Sequence, residues 1–294
     1  MNQAKSSRGR SFVIVASAYI AALVVGIFVA RSIASQTSPM ITLALADTAA
    51  TVVIFISSVL VNNSSMYDPY WSVAPMALAP AIAFRDDAMA APFERKVIVV
   101  GLVFLWGARL TWNWARGWQG LEHEDFRYVD LRKTTGKAYW LVSFLGLHFM
   151  PTVMVYLGCL SLFISLQSGN QPLGAFDAVG LVVTLGAIGL EARADQELRM
   201  FRLTNKEPGK ILDTGIWAYC RHPNYLGEIL FWWGLFFFAL AADPSSRWVI
   251  VGALAINALF VFVSVPLMTK RALARRPAYR ERIERVPALL PRPW

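Results

Sequence analysis

Residues 213–234 read DTGIWAYCRHPNYLGEILFWWG. The stretch opens as a polar turn, passes through Arg221, His222, Pro223 and Asn224, and then becomes an apolar run interrupted by one acid, Glu228. Such a run predicts a membrane helix with its polar groups crowded into the first turn. Outward from it the pattern repeats, with apolar runs at residues 12–30, 41–61, 73–84, 97–115, 139–167, 175–190 and 248–269. A helix needs about 20 apolar residues to cross a bilayer core of about 30 Å, and most of these runs qualify. The run 73–84 is short and carries Pro75 and Pro80, so it reads as a kinked or re-entrant helix. The fold expected is an all-α, polytopic integral membrane bundle of seven to eight transmembrane helices.

Composition agrees. The chain is 56% hydrophobic and 16% charged, well away from a soluble domain. Its net charge of +9 raises the question of nucleic acid. Position along the chain answers it. With eight crossings and the N-terminus inside, the cation-rich segments 116–137, 193–221 and 270–292 are all internal, while Arg31, Arg85, Arg95, Lys96 and Arg247 are external. If 73–84 does not cross, the N-terminus moves outside and those three segments stay in. The charge therefore sets topology and meets anionic lipid, and nucleic acid is not expected. Lys5, Arg8 and Arg10 precede an apolar run too long for a signal peptide, and Arg31 follows it, so it reads as a retained anchor. Cys159 and Cys220 are read as free thiols, and no Cys or His cluster has metal-ligand spacing. The segment 193–202 is expected to extend the preceding helix out of the membrane until Pro208-Gly209 breaks it.

Ionisable groups at membrane depth are costly and call for an explanation. Asp47 and Asp177 lie near run ends and read as interfacial. His148 reads more readily as a buried, hydrogen-bonded side chain than as a catalytic one. Arg109, inside GARLTWNW, needs an acid or a bound anion. Asp195, Arg199, Arg202, Lys206, Lys210, Arg221 and His222 share one inner connection and its flanks. Asn224 and Tyr225 stand at a helix N-terminus, where free backbone N–H groups favour an anion. Glu228, one turn further, accepts hydrogen bonds from an amide or a sugar hydroxyl. Cations, an anion-binding helix start and a carboxylate suit a nucleotide. Without G-x-G-x-x-G or a Walker lysine motif, it is expected in a helical membrane pocket.

DTGIWAYCRHPNYLGE, with YDPYWSVAP (67–75) and EDFRY (124–128), resembles the DUF1295 branch of the steroid 5-alpha-reductase superfamily. RHPNYLGE is also similar to a segment of sterol C14 reductases, and the shorter R-H-P-x-Y-x-G occurs in isoprenylcysteine carboxyl methyltransferases. The resemblance covers residues 41–294, so residues 1–40 form an extra N-terminal anchor helix before a steroid-5-alpha-reductase-like domain. It implies a cofactor half at about 175–294 that encloses NADPH from the cytosolic side. By motif, Asn224, Glu228, Tyr219, Asp195, Arg202 and Lys210 fall on cofactor-holding positions, with Arg221, His222, Tyr225 and Arg109 in the same set.

The activity implied is hydride transfer to an enone C=C of a lipidic or steroid-like substrate, by a monomeric, multi-pass protein. Its cofactor side faces the cytosol, across the inner membrane if the source is bacterial. The superfamily's catalytic Tyr falls on Trp106, and its substrate-side Gln-Glu pair is replaced by DPYWSVAP. A His and a Tyr of its last helix fall near Met268 and Ala272. Tyr70 is then the expected proton donor, oriented by Asp68, with Tyr67 next; the competing reading makes these aromatics an interface belt. Glu124 or Asp125 is expected to accept from an Arg, and Arg127 to meet a phosphate. The alternative activity is an S-adenosylmethionine-dependent membrane methyltransferase.

Overall fold

The computed structural model describes residues 2–85 and 90–291, with side chains from residue 8; Lys5 and Arg292, counted in the charge reading, and the tail end 292–294 lie outside the described side chains. Every regular element among the described residues is helical. Seven segments are long and apolar enough to span a membrane: Arg8–Ile33, Pro39–Leu60, Phe93–Gly117, Phe126–Gln167, Ala175–Thr204, Pro223–Ala242 and Arg247–Arg275. The chain is thus the all-α polytopic membrane protein that its runs predict. It divides into two compact units, Met1–Ile82 with Trp106–Cys159, and Ala83–Leu105 with Leu160–Trp294.

The first unit holds α1 (Asn2–Ile33), α2 (Pro39–Leu60), α3 (Tyr70–Ala83), the second half of α4 (Phe93–Gly117), α5 (Phe126–Thr135), α6 (Tyr139–Ser143) and the start of α7 (Met150–Gln167). Ser38 caps α2, accepting from Ile41 N at 3.4 Å, and Pro39 takes a first-turn position where no N–H is needed. The outer face of α1 exposes Val13, Ile20, Leu23, Val24 and Phe28, as a lipid-facing helix does. A π-helical turn, Phe144–Phe149, joins α6 to α7. It seats His148 between Ser58 Oγ and the Ser143 carbonyl, both at 3.0 Å. His148 is fully buried, so the bland reading of that histidine holds.

α3 has 14 residues, about 21 Å at 1.5 Å per residue, too short for the apolar core on its own. Hydrogen bonds nevertheless fix its direction. Arg8 Nη2 donates to Ala115 O at 2.8 Å, and Leu121 N donates to Ser11 Oγ at 3.2 Å. Asn63 Nδ2 donates to Leu121 O at 2.7 Å. The start of α1, the end of α2 and the end of α4 therefore share one end of this unit. Because α4 finishes at the end where α2 finishes, residues 70–92 must carry the chain back. α3 is not among the seven spans, but this direction of the chain fits the eight-crossing reading, with α3 as a short traverse.

The second unit holds the start of α4, the rest of α7, α8 (Ala175–Thr204), α9 (Pro223–Ala242), α10 (Ile250–Leu259), α11 (Val265–Arg275) and α12 (Tyr279–Arg285). A π-helical turn, Phe260–Ser264, connects α10 to α11. α8 lies along α9 in an extensive contact. Gly227 permits this: a Cβ there would stand 2.7 Å from Glu191 Cβ and 2.9 Å from Ala187 O. α9 is buried on nearly every side, through Leu226, Ile229, Phe231, Trp232, Leu235 and Phe238. At 30 residues α8 is about 45 Å long, so its end projects beyond a 30 Å core before the chain breaks at Asn205, as expected. Asp177 is not simply interfacial. It caps α8, accepting from Gly174 N at 2.9 Å, and takes Arg95 Nε at 2.7 Å and Nη2 at 2.8 Å. Arg95 is fully buried and spends Nη1 on Gln171 O, so the pair leaves no charge uncompensated.

Candidate functional site

In the second unit the polar stretch is bound to its surroundings through the backbone. Gly215, at φ +60°, turns the chain where a Cβ would overlap the Glu197 carboxylate. Glu197 accepts from Ile216 N at 3.0 Å, and Trp217 Nε1 donates to Ala194 O at 3.1 Å. Arg282 Nη2 donates to Trp217 O. The tail beyond α12 then lies against the Arg-His-Pro segment: Arg221 N donates to Pro287 O at 2.9 Å and His222 N to Ala288 O at 3.0 Å. Arg221 adds Nε to Val286 O at 3.0 Å and Nη1 to Thr269 Oγ1 at 3.2 Å. Two of its guanidinium donors are thus spent within the fold, Nε on the tail and Nη1 on α11, rather than on a ligand.

What remains at the start of α9 is a set of buried polar groups. His222 is 8% exposed, stacks on Tyr225 at 5.1 Å and 10°, and its Nε2 has no partner among the described residues. Burial, then the Arg221 and Arg282 charges, push its pKa down to about 4, so the ring is neutral at pH 7. Asn224 Oδ1 is buried and equally unpartnered. Glu228, 4% exposed, accepts Trp232 Nε1 at 3.0 Å. Glu191 of α8, also buried, packs its Cβ against Gly227, the residue before Glu228. Unpaired buried polar atoms are rare and costly, so His222 and Asn224 call for a ligand or water.

Around this lie the cations. Arg202 feels the Asp195 and Arg276 charges, Lys206 is exposed, and Lys210 meets Glu207 at 3.3 Å, also exposed. Tyr219 is exposed as well. Nine of the ten expected cofactor residues belong to this one unit. The tenth, Arg109, sits half-buried on α4 in the other. Glu191, Arg276 and Arg282 were not singled out from sequence; only the fold brings the α12 and α8 groups to the α9 start.

In the first unit Tyr67 and Tyr70 are 4% and 5% exposed, which excludes the interface-belt reading. Burial raises the Tyr67 phenol pKa. The expected partner of Tyr70 is corrected. Its OH donates to Asp47 Oδ1 at 2.6 Å, whereas Asp68 accepts from Tyr128 OH at 2.5 Å. Residues two apart at a helix start face different sides, so Asp68 cannot orient Tyr70. Asp47 is not interfacial either: it lies two turns into α2, 6% exposed, with Oδ2 unpartnered among the described residues. Tyr67 stacks on Tyr70 at 5.1 Å and bonds Thr152 Oγ1 at 2.7 Å, which bonds Thr51 Oγ1 at 2.9 Å. Glu124 accepts from Arg132 at 3.2 Å and Asp125 from Arg127 at 2.7 Å, the arginine acceptors expected. Trp106, where the resemblance led a tyrosine to be expected, is fully buried.

The two cysteines are free and buried, and among the described residues no group of His, Cys, Asp and Glu is placed to hold a metal. A family model, protein of unknown function (DUF1295), matches residues 54–286. An uncharacterized protein of Schizosaccharomyces pombe is similar, 28% identical over 257 residues, covering 80% of this chain and 74% of that protein. No solved structure matches.

Proposed function

The chain belongs to the DUF1295 family, and we propose that it is a membrane-embedded, NADPH-dependent reductase of an activated C=C bond in a lipidic enone. The observation that carries this reading is the pair of buried, unpartnered atoms at the start of α9, His222 Nε2 and Asn224 Oδ1, beside Glu228. A nicotinamide carboxamide has both the N–H donors and the C=O acceptor to satisfy such groups. Asp195 and Glu228 accept from amide or ribose hydroxyls. Arg202, Lys206 and Lys210 are exposed cations suited to a 2′-phosphate and pyrophosphate. When bound, the cofactor supplies hydride to the β-carbon of the enone. Tyr70 supplies the proton, with Asp47 as the carboxylate that orients its phenol. On this reading the chain is a steroid 5-alpha-reductase superfamily member with a rebuilt substrate side, acting as a monomer. Its cofactor side faces the cytosol, across the inner membrane if bacterial.

S-adenosylmethionine would use the same loop and Glu228, but it carries no phosphate for the three cations. Calorimetry in mild detergent separates the readings. We expect NADPH to bind at least about tenfold more tightly than NADH, about 1.4 kcal/mol. Equal affinities, or tight S-adenosylmethionine binding with neither nucleotide, overturn it.

A further inference from the structure

At the cation-rich end of the first unit, α1 meets the end of α4 through two pairs of side chains at helical spacing. Arg8 and Phe12 are four apart on α1. Trp114 and Trp118 are four apart on α4 and its continuation, where Trp118 N donates to Trp114 O at 2.9 Å. The indoles stack, with ring centroids 4.9 Å apart at 30°. Phe12 stands edge-on to both, 5.9 Å from Trp114 and 4.9 Å from Trp118. Arg8 Nη2 donates to Ala115 O at 2.8 Å, and the guanidinium lies 5.5 Å from the Phe12 ring. The four side chains form one packed group.

This group holds three buried N–H donors with no partner among the described residues: Arg8 Nε, Trp114 Nε1 and Trp118 Nε1. Trp118 is only 8% exposed. A buried indole N–H ordinarily finds an acceptor, and leaving it without one is costly. All three are donors, none of them can accept, and one belongs to a cation. The missing partner is therefore an acceptor carrying negative charge. Depth narrows its identity. Arg8 opens the span Arg8–Ile33 and Trp114 lies in the last turn of the span Phe93–Gly117, so the group sits at headgroup level. Deeper along α1, Val13, Ile20 and Val24 are exposed and offer acyl chains an apolar wall.

We propose that Arg8, Trp114 and Trp118 form a headgroup site for one anionic phospholipid, whose phosphodiester oxygens accept from the three N–H groups. The site lies wholly within the first unit and is independent of the reductase reading. Attraction of a basic surface to anionic lipid needs no fixed donors. This site differs from such a surface because two of its three donors are uncharged.

The full-length protein, delipidated in mild detergent, is titrated with phosphatidylglycerol, phosphatidylcholine or inorganic phosphate, and bound copies are counted by native mass spectrometry. We expect one phosphatidylglycerol to be held at least about tenfold more tightly than phosphatidylcholine, whose choline cation offsets the phosphate charge. Trp114→Phe with Trp118→Phe keeps two stacking rings and removes both indole N–H groups, so that copy should weaken by about tenfold. Arg10→Gln, which removes an exposed cation from the same end, should change it by less than about twofold. Should the double variant fail to fold, Trp118→Phe alone carries the test, with an expected loss of about threefold or more. Wild-type affinity in the tryptophan variants, or an equal loss in Arg10→Gln, leaves only general surface charge and overturns the site. Phosphatidylcholine or inorganic phosphate bound as tightly as phosphatidylglycerol overturns the assignment to an anionic lipid.

Discussion

At the scale of single residues, burial decides which acids and bases act, and its effects have opposite signs. Asp68 has its pKa raised to about 6, first by desolvation, against a usual value near 3.8. Between those values the folded state holds more protons than the unfolded one, so Asp68 costs stability as pH rises through about 4 to 6. His222, pushed down to about 4, works in reverse: the unfolded state holds more protons, and stability is lost as pH falls through about 6.5 to 4. Asp68→Asn keeps an acceptor for Tyr128 and removes only the first effect. Thermal unfolding in detergent between pH 4 and 8 should show the variant gaining on wild type as pH rises through 6. A parallel pair of curves would mean that Asp68 titrates normally. The sequence made most of the α9 set legible, because RHPNYLGE is continuous. It hid Asp47 as the partner of Tyr70, since no local pattern reports a contact 23 residues apart. Tyr128 stood in a quoted motif, but its acceptor lies 60 residues away.

At the scale of elements, length and apolarity located the spans, and Pro208-Gly209 marked the end of α8. Two features escaped. The direction of α3 depends on hydrogen bonds from other helices, not on its own composition. The π-helical turn at His148 shifts the side-chain register by one residue, which a 3.6-residue period cannot anticipate. The α8–α9 contact is the element on which the site most depends. Gly227→Ala would press its Cβ on Glu191 Cβ and the Ala187 carbonyl, and the carbonyl cannot rotate away. Overpacking of this kind costs about 1–3 kcal/mol. We expect a lower melting temperature and weaker NADPH binding, because Glu191 and Glu228 flank the glycine. Unchanged values for both would show that α8 and α9 separate freely.

At the scale of the whole molecule, charge orients what the helices build. Hydrogen bonds place the start of α1 and the 118–125 loop at one end of the first unit, and that end carries Arg8, Arg10, Arg116 and the cations of α5. The α1–α2 connection, residues 34–38, lies at the opposite end and has no Lys or Arg. An imbalance of this size favours the cation-rich end inside, because translocating Lys and Arg is disfavoured. Both native cysteines are buried, at 0% and 2% exposure, so a single introduced thiol reports its own side. Gln36 and Lys133 are exposed and lie at opposite ends. In intact cells a membrane-impermeant maleimide should label Gln36→Cys and spare Lys133→Cys, which reacts only after permeabilisation. Labelling of Lys133→Cys alone would invert the orientation, and labelling of both or neither would break the parity that assigns α3 a traverse. With the expected pattern, residues 205–222, two spans beyond Lys133, also face inward. Arg202, Lys206 and Lys210, exposed at or beside this segment, would then meet the cytosolic pool of phosphorylated dinucleotide.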